Sequence, residues 1–313
     1  MKELNIEHFI EQEILKLLPN HPIKDGYLWA MFPAGKLFRP NLALAILKDL
    51  NPFLYQQFLI KKNLNIGYFA AALEVHHSYS LVHDDLPSMD NDDYRRGKES
   101  THKKFGEWQA ILIGDGLLNI SYQFLSKINL ESPQQLITLI KVFAHSMGPK
   151  GLIHGQNLDL SHEMTKNFPN TLLTHQLKTA RLIQMALLGG AIISNKASFP
   201  TLKKIWRYGE SIGILFQLLD DLSELADEKL SAHELDVNPW LKFQKQTHES
   251  TLKRLELINQ QNADLNLLET KNYLSIYFKK MNNTFKDHQT TIEGHAKIDL
   301  APVMTLLDRL QST

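Results

Sequence analysis

Cysteine is absent from the 313-residue chain. That excludes disulfides, thiolate metal centres and cysteine nucleophiles, so any metal must be held by oxygen or imidazole. Net charge is absent too, since 34 Lys and Arg balance 34 Asp and Glu. No global field draws such a protein to nucleic acid or to an anionic membrane, and the charge it uses must be local. Strand-like alternation bounded by hairpin turns is missing, as are repeats of fixed period and low-complexity tracts. No apolar run approaches the roughly 18 residues of a membrane span; the longest, Ile183 to Ile193, contains a glycine pair. The opening stretch MKELNIEHFIEQEILKLL sets apolar residues at helical spacing with acids between them. It lacks the basic start and unbroken apolar centre of a secretory signal, so a surface helix and a soluble, cytoplasmic protein are expected.

What is present is an ordinary globular composition, 43% hydrophobic and 22% charged, which allows one large domain or two. Apolar residues recur about every 3.6 positions almost throughout, as in FIEQEILKLL, PQQLITLIKVF and STLKRLELI. Helix-breaking signals fall at Pro19 to Pro22, Asn51-Pro52, Pro87, Ser132-Pro133, Lys166 to Asn170, Ser198 to Pro200 and Asn238-Pro239. None has the composition of a domain linker. The expected fold is all-α, one domain over residues 1–313, a bundle of ten or more helices.

Two of the expected helices are apolar nearly all round, the mark of a helix in a protein's centre. From Ile66 to Leu86 the first carries only Glu74 and three histidines ahead of Asp84-Asp85, and Ile212 to Leu222 is apolar until Gln217, Asp220 and Asp221. In the second, Gln217, Asp220, Asp221 and Glu224 stand at i, i+3, i+4 and i+7, on one helical face. Like charges gathered in low dielectric repel unless protons bind or a cation neutralises them. A hard divalent cation such as Mg²⁺, which takes oxygen ligands and leaves positions for substrate phosphates, meets that requirement.

The first helix ends in LVHDDLPSMDNDDYRRG. Asp84 and Asp90 are six apart, which would misalign them on a regular helix. A chain that leaves the helix near Pro87 can bulge the two extra residues and return Asp90 to the side of Asp84. Arg95 and Arg96 follow, with guanidinium forks suited to clamping a diphosphate. Taken singly, acids at helix ends and loop arginines are ordinary solvated surface. Two acid clusters on two buried helices, one followed by an arginine pair, are not accounted for that way.

DDLPSMDNDDYRRG, with the KFGEWQAILIGDGLL that follows, resembles the trans-isoprenyl diphosphate synthases, or polyprenyl synthetases, of the bacterial farnesyl diphosphate synthase type. The likeness runs from about residue 30 to the C-terminus and implies a single polyprenyl synthetase domain, a helical bundle around a central cavity. It makes Asp84, Asp85 and Asp90 a first aspartate-rich motif, and Asp220, Asp221 and Glu224 of DDLSE a second; together these would hold three Mg²⁺ ions. PAGKLFRP resembles the GGKRLRP stretch that binds isopentenyl diphosphate. It gives Lys36 and Arg39 as phosphate ligands, with Leu37 where an arginine is usual. His77 and Arg96 match the same subsite, His76 being a packed or solvated neighbour. Arg95 matches a ligand of the allylic diphosphate, and Lys178 and Thr179 of HQLKTA lie by resemblance near that diphosphate and the developing cation. Gln217 and Gln156 match polar residues lining the cavity, while Asp115 reads as structural. Tyr79 and Ser80, fifth and fourth before the first motif, match the positions that set product length, and a tyrosine there implies a stop at fifteen carbons.

The implied activity is that of a Mg²⁺-dependent prenyltransferase that condenses isopentenyl diphosphate with dimethylallyl or geranyl diphosphate to farnesyl diphosphate. A homodimer with neither nucleic-acid nor membrane partners is implied as well. Asp84, Asp85, Lys178 and Asp220 would carry the catalysis; a geranyl or geranylgeranyl diphosphate synthase is the neighbouring reading. Where such synthases have a GKST-like loop after the second motif, this chain has LADEKLSAHELDVNPW, with Leu235 at the lysine position and Asp236 next. The absence of that cation and the presence of an acid near the allylic subsite imply weakened activity, or a regulatory subunit without catalysis. His83-Asp84 also forms the HD dipeptide of helical metal phosphohydrolases, a reading that leaves DDLSE and the arginine pair unused. A terpene cyclase has no need of a GKxxRP site.

Overall fold

The computed structural model describes residues 5–311; residues 1–4, which the expected N-terminal helix includes, lie outside them, as do 312–313. The chain divides into two compact units, Met1–Lys141 with Gly189–Lys196, and Val142–Leu188 with Ala197–Thr313. The first contains α1 (Ile6–Leu15), α2 (Ile23–Met31), α3 (Phe38–Leu50), α4 (Pro52–Leu59), α5 (Asn65–Asp84), the strands β1 (Tyr94–Arg95) and β2 (Lys98–Glu99), α6 (Thr101–Phe105), α7 (Glu107–Ser126) and the start of α8 (Pro133–Met147). The second is built from α9 (Leu152–Leu160), α10 (Phe168–Thr174), α11 (Arg181–Ser194, whose end belongs to the first unit), α12 (Phe199–Glu224), α13 (Ala232–Val237), α14 (Pro239–Lys242), α15 (Gln244–Leu265), α16 (Leu268–Asp287), α17 (Gln289–Ala296) and α18 (Ala301–Gln311). The all-α expectation therefore holds.

Several expected breaks are helix starts. Asn51, Asn167, Ser198 and Asn238 cap α4, α10, α12 and α14, their side-chain oxygens accepting from the N–H groups of Leu54, Asn170, Thr201 and Trp240. Each of these helices has proline in its first turn, where its missing N–H would find no partner in any case. The hairpin of β1 and β2 departs from the expected absence of strands. Two-residue strands are too short to show alternation, and the turn lies in Arg96-Gly97, with φ of +54° and +77° as tight hairpins require.

The expectation about apolar runs is corrected. Phe168 to Ser194 forms a helical stretch of 27 residues whose most apolar 18-residue segment has a mean hydropathy of 1.2, long and apolar enough to cross a membrane, but 78% of that segment is buried inside the protein. A π-helical turn, His175–Ala180, interrupts it. In the first unit α5 packs along α7, with Tyr68 stacked on the buried Phe124 at a ring-centroid distance of 6.5 Å and buried His76 Nδ1 3.3 Å from Ser121 Oγ. In the second unit α12 packs on α15 and on the π-helical turn. A Cβ at Gly213 would lie 2.4 Å from the Ala180 Cα, so glycine is what allows α12 to lie against the turn that presents Lys178 and Thr179.

The last turn of α12 leaves its carbonyls without helical partners, as every helix end does. Asn238 Nδ2 donates to one of these, the Asp221 carbonyl, at 2.7 Å, and the indole of Trp240, fully buried, adds a bond to the Leu218 carbonyl a turn earlier at 2.7 Å. The Asn-Pro-Trp turn thereby fixes the acidic end of α12. Leaving such a buried carbonyl unsatisfied costs about 1–3 kcal/mol.

Candidate active site

In the first unit α5 stops at Asp84 and the buried Asp85 takes the C-cap. The bulge foreseen at Pro87 is present. The Asp90 N–H donates to the Asp84 carbonyl at 2.9 Å, and the Leu86 carbonyl accepts from Met89 and Asn91 at 2.9 and 3.1 Å. Asp84 is half-buried and Asp90 exposed. Arg95 Nε donates to Asp85 Oδ1 at 2.6 Å and its NH2 reaches Asp92 at 3.2 Å. Burial pushes the Asp85 carboxyl up and the Arg95 guanidinium pulls it back, so this acid already has a counterion.

Arg96, one residue on, stands over the PAGKLFRP loop. A Cβ at Gly35 would lie 2.9 Å from its NH2, so the glycine makes room for the guanidinium. The same guanidinium is 3.8 Å from Glu74, a carboxylate only 3% exposed. Burial raises the Glu74 carboxyl, while Arg39 and Arg96 lower it. Arg39 has its Nε buried without a hydrogen-bond partner. Burial, then Arg39, Arg96 and Arg95, hold His77 well below the ordinary histidine range, so it is a neutral imidazole among cations. Lys36 is exposed on the loop. Leu37, in left-handed conformation with φ +49°, is buried, so the position where an arginine is usual faces the core. Glu74 was visible in the sequence as the lone acid of an apolar helix, but its pairing with arginines from two distant segments was not.

Tyr79 is buried edge-on between His76 and His83, with ring centroids 4.6 and 5.5 Å away, and burial pushes its hydroxyl up to about 12. Ser80 is also buried, its hydroxyl donating to the His77 carbonyl at 2.9 Å. His83 Nε2 bonds the Ile111 carbonyl at 3.1 Å and lies 3.8 Å from Asp115. This nitrogen is engaged with α7, which gives the HD dipeptide no support as a metal pair.

In the second unit, Thr179 Oγ1 donates to Gln217 Oε1 at 2.9 Å, and Gln217 Nε2 donates to Asp221 Oδ1 at 2.7 Å. Lys178 is ion-paired with Asp159, and His175 Nε2 lies 3.4 Å from Asp221 Oδ2. No hydrogen bond joins them, and Asp221 Oδ2 is buried without one. These groups line a cavity of about 230 Å³ that Glu224, His233, Glu234 and Asn238 also line. Burial drives Asp221 well above the carboxylate range, with Glu224, Asp220 and Asp159 adding to the rise. Glu224, on the more open side, is pushed up to about 7 by desolvation and by Asp220 and Glu234. The expected charge of Asp236 at the subsite is corrected: Asp236 is exposed and turned to Lys242 at 3.1 Å and His162 at 3.8 Å, and the new acid in the cavity wall is Glu234. Leu235, at the lysine position, is 58% exposed. Gln156 is not among the residues of that wall, and both its amide atoms are buried without partners.

Among the described residues no three or more His, Asp or Glu converge into a complete cation site. The donors nevertheless fit Mg²⁺. They are carboxyl oxygens, one of them buried and orphaned, in a group that burial first and mutual repulsion second push up from the ordinary carboxylate range. Mg²⁺ takes one or two carboxylates and completes its shell with water and substrate phosphates, so incomplete protein sites are what it uses.

A helical fold with a bulged aspartate turn, a buried arginine–glutamate group and a second acid-ended helix defines a protein of the isoprenoid synthase type. A sequence model described as polyprenyl synthetase matches residues 23–233. The farnesyl diphosphate synthase of Geobacillus stearothermophilus is 33% identical over 247 residues, covering 74% of this chain and 80% of that one. The geranylgeranyl diphosphate synthase of Cyanophora paradoxa is 34% identical over 267 residues, covering 80% and 84%. Among solved structures, the geranyltransferase of Helicobacter pylori complexed with magnesium and isoprenyl diphosphate superposes with a TM-score of 0.69 at 28% identity, over 89% of this chain and 99% of that one. The chain belongs to the polyprenyl synthetase family.

The raised carboxyls set a pH dependence. A carboxyl whose folded value is raised keeps a proton that the unfolded chain has lost, so its effect is to lower stability as pH climbs toward the folded value. Buried His76, His77 and His175 are shifted down and act oppositely, but only up to the unfolded histidine value near 6.5. Above that the carboxyls govern. The Tm of the metal-free protein should therefore fall between about pH 6.5 and 8, and Asp221→Asn should flatten the fall and raise Tm at the upper end. Calorimetry that finds a rising Tm across this window would refute the assignment.

Proposed function

We propose that the protein is a short-chain prenyltransferase that condenses isopentenyl diphosphate with dimethylallyl or geranyl diphosphate to give farnesyl diphosphate. Beyond family membership, the observation that carries the reading is the bulged turn closed between Asp84 and Asp90, followed at once by Arg95 and Arg96. The farnesyl name borne by the Geobacillus relative supports the product, and a geranylgeranyl product is the alternative that the Cyanophora relative suggests.

Asp84, Asp85 and Asp90, with Asp220, Asp221 and Glu224, would hold the Mg²⁺ ions, three in this reading. When bound, Mg²⁺ neutralises the diphosphate leaving group so that the allylic C–O bond ionises. Arg95 and Lys178 supply further positive charge to that diphosphate. Thr179 and Gln217 orient the Asp221 carboxylate from behind. Lys36, Arg39 and Arg96 bind isopentenyl diphosphate, with neutral His77 as a hydrogen-bonding partner that adds no charge. The double bond is presented to the allylic cation, and the proton lost from the adduct leaves to the departing pyrophosphate. Apolar residues exclude the water that would quench the cation. The stop at fifteen carbons rests on Tyr79, held between His76 and His83.

Leu235 offers no cation, so allylic binding should be weak and Mg²⁺ demand high; a charge-assisted hydrogen bond of the kind it cannot make is worth about 1.5–3 kcal/mol. A cytoplasmic homodimer completes the reading, and the exposed stripe of Trp108, Ile111 and Leu112 on α7 suits burial against a second copy.

The experiment is incubation with Mg²⁺, isopentenyl diphosphate and geranyl diphosphate, followed by chromatography of the dephosphorylated products. A fifteen-carbon product is expected, with a Michaelis constant poorer for the allylic substrate. Asp84→Ala or Asp220→Ala should lower turnover by at least about a hundredfold, the scale of removing transition-state electrostatics, while the helical fold is kept. Near-normal product from either variant would sink the metal assignment. Tyr79→Ala should lengthen the product, and an unchanged product would put the stop elsewhere. Binding of isopentenyl diphosphate without turnover by the wild type would favour a regulatory subunit.

A further inference from the structure

Lys98 has no part in the mechanism above, yet its ammonium is held by a set of directed interactions. Their origin lies in Pro33. The Trp29 carbonyl at the end of α2 would take its helical hydrogen bond from the N–H of residue 33, and proline has none. Lys98 Nζ supplies the missing donor at 2.5 Å and donates also to the Phe32 carbonyl at 2.6 Å. The ammonium lies 4.5 Å over the Trp29 ring, whose indole N–H donates to the Glu99 carbonyl at 3.0 Å. Cationic donors at a helix C-terminus are further favoured by the backbone dipoles.

Two phosphate-facing segments meet through these bonds. From the end of α2 the chain runs directly into Gly35, Lys36 and Arg39. On the other side Lys98 pairs in register with Arg95, and between them Arg96 projects its guanidinium into the space that Gly35 leaves. We propose that Lys98 is a positioning residue for the isopentenyl diphosphate subsite: its ammonium fixes the distance between the Lys36–Arg39 loop and Arg96 without itself touching substrate. The inference rests on the functional reading above, which assigns those three cations to one diphosphate. The helix α2 is held independently by its packing on α7, where Gly26 sits against Ile113, so loss of the clasp should loosen the subsite rather than the fold.

The test is calorimetric binding of isopentenyl diphosphate to the full chain, alongside steady-state kinetics and thermal unfolding. Lys98→Met keeps an apolar stem over Trp29 and removes all three donors. It should weaken isopentenyl diphosphate binding, and raise its Michaelis constant, by roughly tenfold, the scale of one charge-assisted hydrogen bond. The constant for geranyl diphosphate and kcat should stay within about threefold, a change too small to reflect removal of such a bond. Lys98→Arg should restore most of the affinity. Equal affinity in wild type and Lys98→Met, or a Tm drop with both Michaelis constants shifted alike, overturns the inference while leaving the function standing. No binding by the wild type defeats both. If Lys98→Met does not fold, Trp29→Phe, which deletes the indole donor and part of the aromatic face under the ammonium, must weaken the same binding step; an unchanged Kd there also overturns it.

Discussion

The crowding and burial of three carboxyl groups at the end of α12 is the constraint on which the second unit is organised. Asp220, Asp221 and Glu224 crowd one turn, and burial first, then their mutual repulsion, pushes the Asp221 and Glu224 carboxyls up. A helix end under that strain would fray unless fixed from outside. The Asn238 and Trp240 side chains do so from one side by bonding the Asp221 and Leu218 carbonyls. From the other, Gln217 and Thr179 orient the Asp221 carboxylate, on a π-helical turn that Gly213 lets approach. The protein thus holds crowded carboxyl groups in place at a fixed helix end, a donor set that suits a hard cation.

The first unit handles its charges differently. Asp85 has Arg95, and Arg39 and Arg96 share Glu74, so each of these buried charges is opposed by a partner from the chain. Buried pairs of this kind add little net stability, because desolvation offsets most of the attraction. In the proposed function their use is to hold cations in a fixed array before substrate arrives, which reduces the ordering that binding must accomplish.

Much of this was legible in the sequence, for physical reasons. Apolar periodicity without flanking polarity marked α5 and α12 as central. The six-residue gap between Asp84 and Asp90 demanded a bulge, and proline at position 87 located it. Local chemistry of that kind acts over a few residues and is written in order along the chain. The interactions that escaped are those between distant segments. Glu74 with Arg96, Lys98 with the end of α2, and Asn238 with Asp221 join residues 22, 69 and 17 apart. The hairpin at Arg96-Gly97 escaped because its strands are too short for alternation. Asp236 was misplaced because a capping box of Ser231 and Glu234 turns the shortened loop into a helix that points Asp236 at Lys242.

The central claim is that the acidic ends are sites for Mg²⁺ completed by a diphosphate. Thermal unfolding of metal-free protein near pH 8, with Mg²⁺ alone, inorganic diphosphate alone, and both together, addresses it directly. Ligand at a hundredfold excess over its Kd stabilises by about 2.7 kcal/mol. The account predicts a rise in Tm of several degrees that needs both components and is largely lost in Asp220→Ala. An equal rise in that variant, or a rise with diphosphate alone, would contradict it.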